Sequence, residues 1–158
     1  MNDIEQKILS DYALALAKWQ IELYQGRNKR KDDAIQRYFN STPARNTFAR
    51  MMFLAYQDDK LHYTKTEIAR QLFITRQAAS QMIADCLAEG WIESHCEGKT
   101  ICYKASQTLA DKQLDYTMFH IDTLTRNPVT DLYMSLRHYQ RAQQIKASSD
   151  FTPKRVAS

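Results

Sequence analysis

Hydrophobic positions recur at two different periods along this chain, and the change of period divides it into elements. Ile4, Ile8, Tyr12, Leu16, Trp19 and Leu23 return every three or four residues, which predicts one long amphipathic helix ending near Gly26. A basic loop, "GRNKRK", follows, and "DDAIQRYF" predicts a short helix. "NSTPARNTFARMMFLAYQ" offers Ser41 or Thr42 as N-cap and Pro43 in the first turn. Its apolar positions are Phe48, Met51, Met52, Leu54 and Ala55, the pattern of a second major helix. Thr64 and Glu67 have capping-box spacing, in which each side chain takes a backbone donor at a helix start, so a helix begins near Lys65. Thr75 caps the next one.

After Gly90 the period falls to two. "WIESHCEGKTICYKAS" alternates β-branched, aromatic and polar residues about a Gly98-Lys99 centre, the signal of a tight β-hairpin. With those two residues as the loop, Glu93 faces Lys104, Ile92 faces Ala105 and Cys96 faces Ile101. Helical spacing returns from Ser106 to near Arg126 through Leu109, Leu114, Met118, Ile121 and Leu124. Asn127-Pro128 resets the chain, a last helix runs to near Lys146, and "ASSDFTPKRVAS" reads as a frayed tail. With only 3 Gly and 3 Pro in 158 residues there are few helix breakers. The expected fold is therefore mostly α with one small β-hairpin, in a single domain over residues 1–158.

The segment "TEIARQLFITRQAASQMIADCLAEG" presses two helices together with almost no linker. On a helical wheel Ala79, Met82, Ile83 and Cys86 share one side. Gln77, Gln81, Ala84 and Ala88 lie opposite, with Ser80 and Asp85 on the flanks and Arg76 at the start. In the preceding helix Ile68, Ala69 and Leu72 face inward, and Ala69 is small enough for two helices to cross closely. The pair reads as a helix-turn-helix, and the hairpin after it sharpens this to a winged helix.

A polar helix face that the fold itself does not use suits the major groove of a DNA duplex, which admits one α-helix. Gln77 and Gln81 can each pair bidentately with an adenine, Arg76 can reach a guanine or a phosphate, and Ser80 offers an adaptable contact. The helix starts at Thr64, Lys65 and Thr66, and at Thr75, point amides and hydroxyls at phosphates. Lys99 at the hairpin tip is placed for the flanking minor groove or backbone.

The net charge of +4 suits an anionic partner without naming one. From His62 to Lys104, however, five bases (Lys65, Arg70, Arg76, Lys99, Lys104) balance five acids (Glu67, Asp85, Glu89, Glu93, Glu97). Phosphate contacts are then expected from Arg45, Lys60, Lys65, Arg70 and Lys99, with the "GRNKRK" loop as a further source. No signal peptide and no run of roughly 18 apolar residues is present, so a cytoplasmic protein without a membrane span is expected. Three cysteines without a CxxC pair and four histidines without ligand spacing predict neither a structural metal nor a cofactor. The predicted register puts Cys96 and Cys102 on opposite faces of the hairpin, which argues against a bond between them.

From Ser41 to Ser106, "STPARNTFARMMFLAYQ", "YTKTEIARQLFITRQAASQMIADCLAEGWIES" and "ICYKAS" resemble the MarR-type winged-helix transcription regulators, and the flanking helices follow that family's order over most of the chain. The resemblance implies a winged helix-turn-helix lobe at 41–106 and dimerisation helices at 1–26 and 107–147. It also implies a homodimer with two recognition helices in successive major grooves of a palindromic operator. Small effectors, often phenolic or otherwise anionic, would bind between the dimerisation helices and the lobe, and would relieve repression. Three positions depart from the family pattern: Phe73 stands where Gly often makes a left-handed turn, so a differently built turn is expected; the wing tip "CEGKT" lacks the acidic-x-Arg pattern; and Cys86 replaces a usual Leu.

The aromatics Trp19, Tyr24, Phe48, Tyr56, Tyr116 and Phe119 suit an effector pocket, but at helical spacing such residues more often build a core or an interface. The main alternative function is a winged-helix adaptor that binds protein rather than DNA. No Ser/His/Asp or Cys/His set, Gly-rich phosphate loop or convergent carboxylates stand out, and no catalysis is expected.

Overall fold

Side-chain caps set where the helices of the central lobe begin. The computed structural model describes residues 2–149. In chain order it contains α1 (Asp3–Lys29), α2 (Ala34–Phe39), α3 (Pro43–Gln57), α4 (Lys65–Gln71), α5 (Arg76–Ala88), β1 (Ile92–Glu97), β2 (Thr100–Ala105), α6 (Gln107–Thr125) and α7 (Val129–Ser149). Thr42, not Ser41, caps α3 by accepting the Arg45 amide, and Pro43 fills its first position. The capping box of α4 closes in both directions: Thr64 Oγ1 accepts from the Glu67 amide at 3.2 Å, and Glu67 Oε2 accepts from the Thr64 amide at 2.8 Å. The Thr64 amide, with the hydroxyl behind it, holds the Glu67 carboxyl below its ordinary range. Thr75 Oγ1 accepts from the Ala78 amide at 3.1 Å and opens α5.

Two helix ends differ from expectation. α1 runs past Gly26 to Lys29, so the basic "GRNKRK" run is helix as far as Lys29 and not loop. Gly26 marks a close approach instead of a stop, because a Cβ built there would stand 2.2 Å from Phe119 Cζ. α7 continues to Ser149, so residues 147–149 of the expected tail are helical. Residues 150–158 lie outside the described part of the chain.

The hairpin has the expected register, with Ile92 opposite Ala105, Glu93 opposite Lys104 and Cys96 opposite Ile101. Gly98 turns it with a φ of +61°, as a two-residue loop with Gly in its first central position requires. One further bridge, Tyr63 to Tyr103, joins the α3–α4 connection to β2.

The described chain divides into two compact units, one of residues 2–24 with 120–149 and one of Gln25–Phe119. The second owns the hydrophobic core. Phe48, Met52, Ile68 and Ala79 are wholly buried there, and Ile35, Phe39, Met51, Ile83, Trp91, Ile92 and Leu109 complete one cluster. α5 packs on α4 and β1, while α3 packs on α2 and β2. In the first unit the buried positions, among the described residues, are Ala15, Leu23, Thr123 and Val129. Trp19 donates its indole N–H to Thr123 Oγ1 at 3.0 Å, and Glu22 accepts from Arg126 at 2.7 Å.

The turn between α4 and α5 is not built differently from the family pattern, contrary to expectation. Phe73 takes the left-handed φ of +55°, its amide donates to the Arg70 carbonyl at 3.3 Å, and the Ile74 amide donates to the Ala69 carbonyl at 3.1 Å. This is a Schellman motif with a phenylalanine in the position that glycine usually fills. Gly90 closes α5 by the same bonds, its own amide to Leu87 and that of Trp91 to Cys86. Phe73 is 96% exposed, so the ring returns almost no packing for the strain.

Replacing it should therefore help. Left-handed backbone costs a residue with a Cβ about 1–2 kcal/mol, part of which glycine gives back as chain entropy. Phe73→Gly is expected to raise the unfolding free energy by about 0.5–1 kcal/mol, read from urea denaturation. Lower stability in that variant would mean that the ring makes contacts the fold does not reveal.

Candidate nucleic-acid interface

A helix that buries one face must show the other, and α5 divides its residues in this way. Ala79, Met82, Ile83 and Cys86 are buried, whereas Arg76, Gln77, Gln81, Ala84 and Ala88 are exposed. Thr66 and Thr75 are exposed at the starts of α4 and α5; Thr64, Lys65 and Ser80 are partly buried. Lys99 is exposed in the hairpin turn between β1 and β2. The predicted residues thus lie on three neighbouring elements of one lobe, at two helix starts and one hairpin tip.

Gln81 has a partner that the sequence did not reveal. Its Nε2 donates to Asp85 Oδ1 at 2.8 Å, and Asp85 Oδ2 accepts from the Tyr38 hydroxyl at 3.1 Å. Burial, then the neighbouring Cys86 and Asp85, pushes the Tyr38 hydroxyl well above its ordinary range, so it remains a donor throughout the physiological span. The chain Tyr38–Asp85–Gln81 fixes one N–H of the amide and leaves its second N–H and its oxygen available, the donor–acceptor pair that an adenine edge needs. No sequence signal pairs Tyr38 with Asp85, since they stand on α2 and α5.

Several expected phosphate contacts are already engaged. The Arg45 guanidinium stacks over the Tyr38 ring at 4.2 Å and donates to Ser41 Oγ at 2.9 Å. In the basic run Arg27 donates to the Tyr116 hydroxyl at 2.8 Å, and Arg30 lies over the Phe119 ring at 4.2 Å. Burial raises the Asp33 carboxyl, but Lys112 at 2.7 Å, with the Gln36 and Ile35 amides, keeps it below its ordinary range. Lys60, Arg70, Arg76 and Lys99 remain exposed.

The expected effector aromatics differ in environment. Phe48 is wholly buried in the core and Tyr24 is exposed. Tyr116 borders a cavity with Ile35, Phe39, Ala49 and Leu109, but its volume of about 30 Å³ is room for a single water. An open hollow of about 340 Å³ lies elsewhere, lined by Arg37, Tyr38, Arg45, Glu89 and Trp91.

This architecture, two helices joined by a tight turn and followed by a two-stranded wing, is a winged helix-turn-helix. Among solved structures the chain is similar to MepR, a transcription regulator of the Staphylococcus aureus multidrug efflux pump MepA. The match has 14% identity over 89% of this chain and 98% of that one, with a TM-score of 0.53. A MepR mutant from a multidrug-resistant S. aureus clinical isolate aligns with a TM-score of 0.58 at 13% identity, covering 89% and 97%. MepR bound to ethidium bromide aligns at 0.54 with 14% identity, covering 89% and 96%. No family model and no curated protein matches the sequence. No helix is long and apolar enough to cross a membrane, among the described residues.

The three cysteines are free, and they differ sharply in environment. Burial, with Asp85 adding to it, pushes the Cys86 thiol up to about 12. Burial and then Glu67 and Glu97 raise that of Cys102. Cys96 is exposed. Both buried groups are therefore protonated thiols at neutral pH, and only thiolates react. A thiol reagent at pH 8 should modify Cys96 quickly and the other two only on unfolding; rapid loss of all three would show that the lobe opens readily.

Proposed function

We propose that this protein is a sequence-specific double-stranded-DNA-binding transcription regulator that acts as a homodimer on a palindromic operator. The observation that carries the reading is the division of α5, with Ala79, Met82, Ile83 and Cys86 buried and Arg76, Gln77 and Gln81 turned to solvent. Major-groove readout needs such a surface: polar side chains in the first turns of a helix, with alanines further along that let the helix approach closely. Thr64, Lys65, Thr66, Thr75, Ser80 and Lys99 would supply the surrounding backbone contacts.

The dimer is supported by the thin core of the terminal-helix unit. Ile4, Leu14, Ile21 and Tyr24 of α1, and Ile121, Tyr133, Met134 and Ile145 of α6 and α7, are each at least 45% exposed. So many large apolar groups on one unit mark an interaction surface. A second copy is the partner that would also set two recognition helices at a fixed spacing. On this reading residues 1–26 and 107–147 dimerise and 41–106 read DNA.

The regulator would be a repressor relieved by a small molecule that favours one helix spacing over another. MepR has been captured with ethidium. The hollow here presents Arg37 and Arg45 beside Tyr38 and Trp91, which suits an anionic aromatic compound instead. The balanced charge from His62 to Lys104 and the exposed Phe73 favour a second reading, a protein-binding adaptor.

Selection from a random duplex library discriminates between these. An enriched palindrome with half-sites about one helical turn apart is expected. Gln77→Ala and Gln81→Ala should each weaken binding to it by about 1–3 kcal/mol, measured by fluorescence anisotropy at fixed salt. Affinity untouched by both substitutions, or no enrichment, would favour the adaptor. Leu14→Glu combined with Ile21→Glu should give a folded monomer by analytical ultracentrifugation that no longer prefers the palindrome over a half-site; a persisting dimer would remove the assigned interface.

A further inference from the structure

We propose that the middle of the hairpin is a site for a thiophilic divalent transition metal, zinc above others, held by His62, His95 and Cys102. No spacing in the sequence signals a metal, because His62 lies before α4 while His95 and Cys102 sit on separate strands. The fold removes that separation. β-Pairing sets His95 directly opposite Cys102, and the bridge from Tyr63 to Tyr103 brings the preceding residue, His62, beside the same strands. One ring nitrogen from each histidine and Cys102 Sγ lie within 4.8 Å of one another.

The detailed geometry suits a tetrahedral ion. His62 Nδ1 and His95 Nε2 stand 3.3 Å apart. Two nitrogens bound to tetrahedral zinc at about 2.0–2.1 Å are separated by about the same distance. The other nitrogen of His62, Nε2, faces Glu97 Oε2 at 3.6 Å, the carboxylate that commonly orients a metal-binding imidazole. His95 Nδ1 is buried without a hydrogen-bond partner, so hydrogen bonding alone does not account for the placement of this ring. Cys102 is 1% exposed and turned away from the face that carries Cys96.

Imidazole and thiolate donors select zinc-like ions over magnesium or calcium, which want oxygen. On binding, the thiol proton of Cys102 passes to solvent and its sulfur bonds to the ion; water completes the four positions. The ion would join the α3–α4 connection to both strands and so hold the hairpin that carries Lys99. The site stands whether or not the protein reads DNA, and its test needs no DNA.

The full chain, stripped with a chelator, is titrated with cobalt(II). A near-ultraviolet thiolate-to-cobalt charge-transfer band should saturate at one ion per chain and bleach when zinc is added. Cys96→Ser should keep the band, and Cys102→Ser should abolish it. His62→Gln should weaken zinc binding by at least about tenfold, since even residues behind a ligand cost that much. His62 is partly exposed, and its replacement leaves the strand pairing intact, so this variant decides the matter even where Cys102→Ser does not fold. Absence of the band in the unaltered protein, its loss in Cys96→Ser or undiminished zinc affinity in His62→Gln would each overturn the proposal.

Discussion

The burial of Ala79 is the constraint on which the rest of the lobe depends. It is fully enclosed, as are Ile68 and Phe48, and Ala69 of the neighbouring helix is nearly so. Small side chains at a helix crossing let two backbones approach, and close packing then penalises any rotation of α5 about its axis. Because the buried stripe is fixed, the opposite stripe is fixed as well. Gln77 and Gln81 face outward through packing on the other side of the helix, and the Tyr38–Asp85 pair refines the direction of one of them.

Much of this was legible in the sequence because the relevant physics is local. A hydroxyl three residues before a glutamate, a threonine before an alanine-rich stretch and a glycine at a hairpin centre act over a few residues, and Thr64, Thr75 and Gly98 each do what their spacing implied. Gly26 and Phe73 were misread for one shared reason. Glycine's meaning depends on what lies against it, here the Phe119 ring across the fold, and a bulky residue can occupy a glycine's conformation when surrounding structure over-determines the turn.

The finer site was illegible because its contacts are distant in sequence. Residues expected to be free for phosphate, Arg27, Arg30 and Arg45, stack on or bond to aromatics of other helices. Arginine over an aromatic face gains from packing and electrostatics together, so a basic residue near tyrosines is often spoken for. Likewise Tyr38 meets Asp85 only after α2 folds over α5, and His62 meets His95 only after the hairpin docks on the α3–α4 connection.

These engaged arginines change the balance of forces that a duplex would feel. Non-specific affinity for DNA scales with the phosphates neutralised and the counterions released. A lobe whose stretch from His62 to Lys104 carries as many acids as bases, and whose Arg45 is held against Tyr38, would release few. Its discrimination would then rest more on hydrogen bonds and close fit along α5, and on two copies acting together, than on charge. On the proposed reading such a protein would dwell little on random sequence, and each base contact would carry a larger share of the total. The orientation of a single amide by Asp85 therefore matters more here than it would on a strongly basic helix.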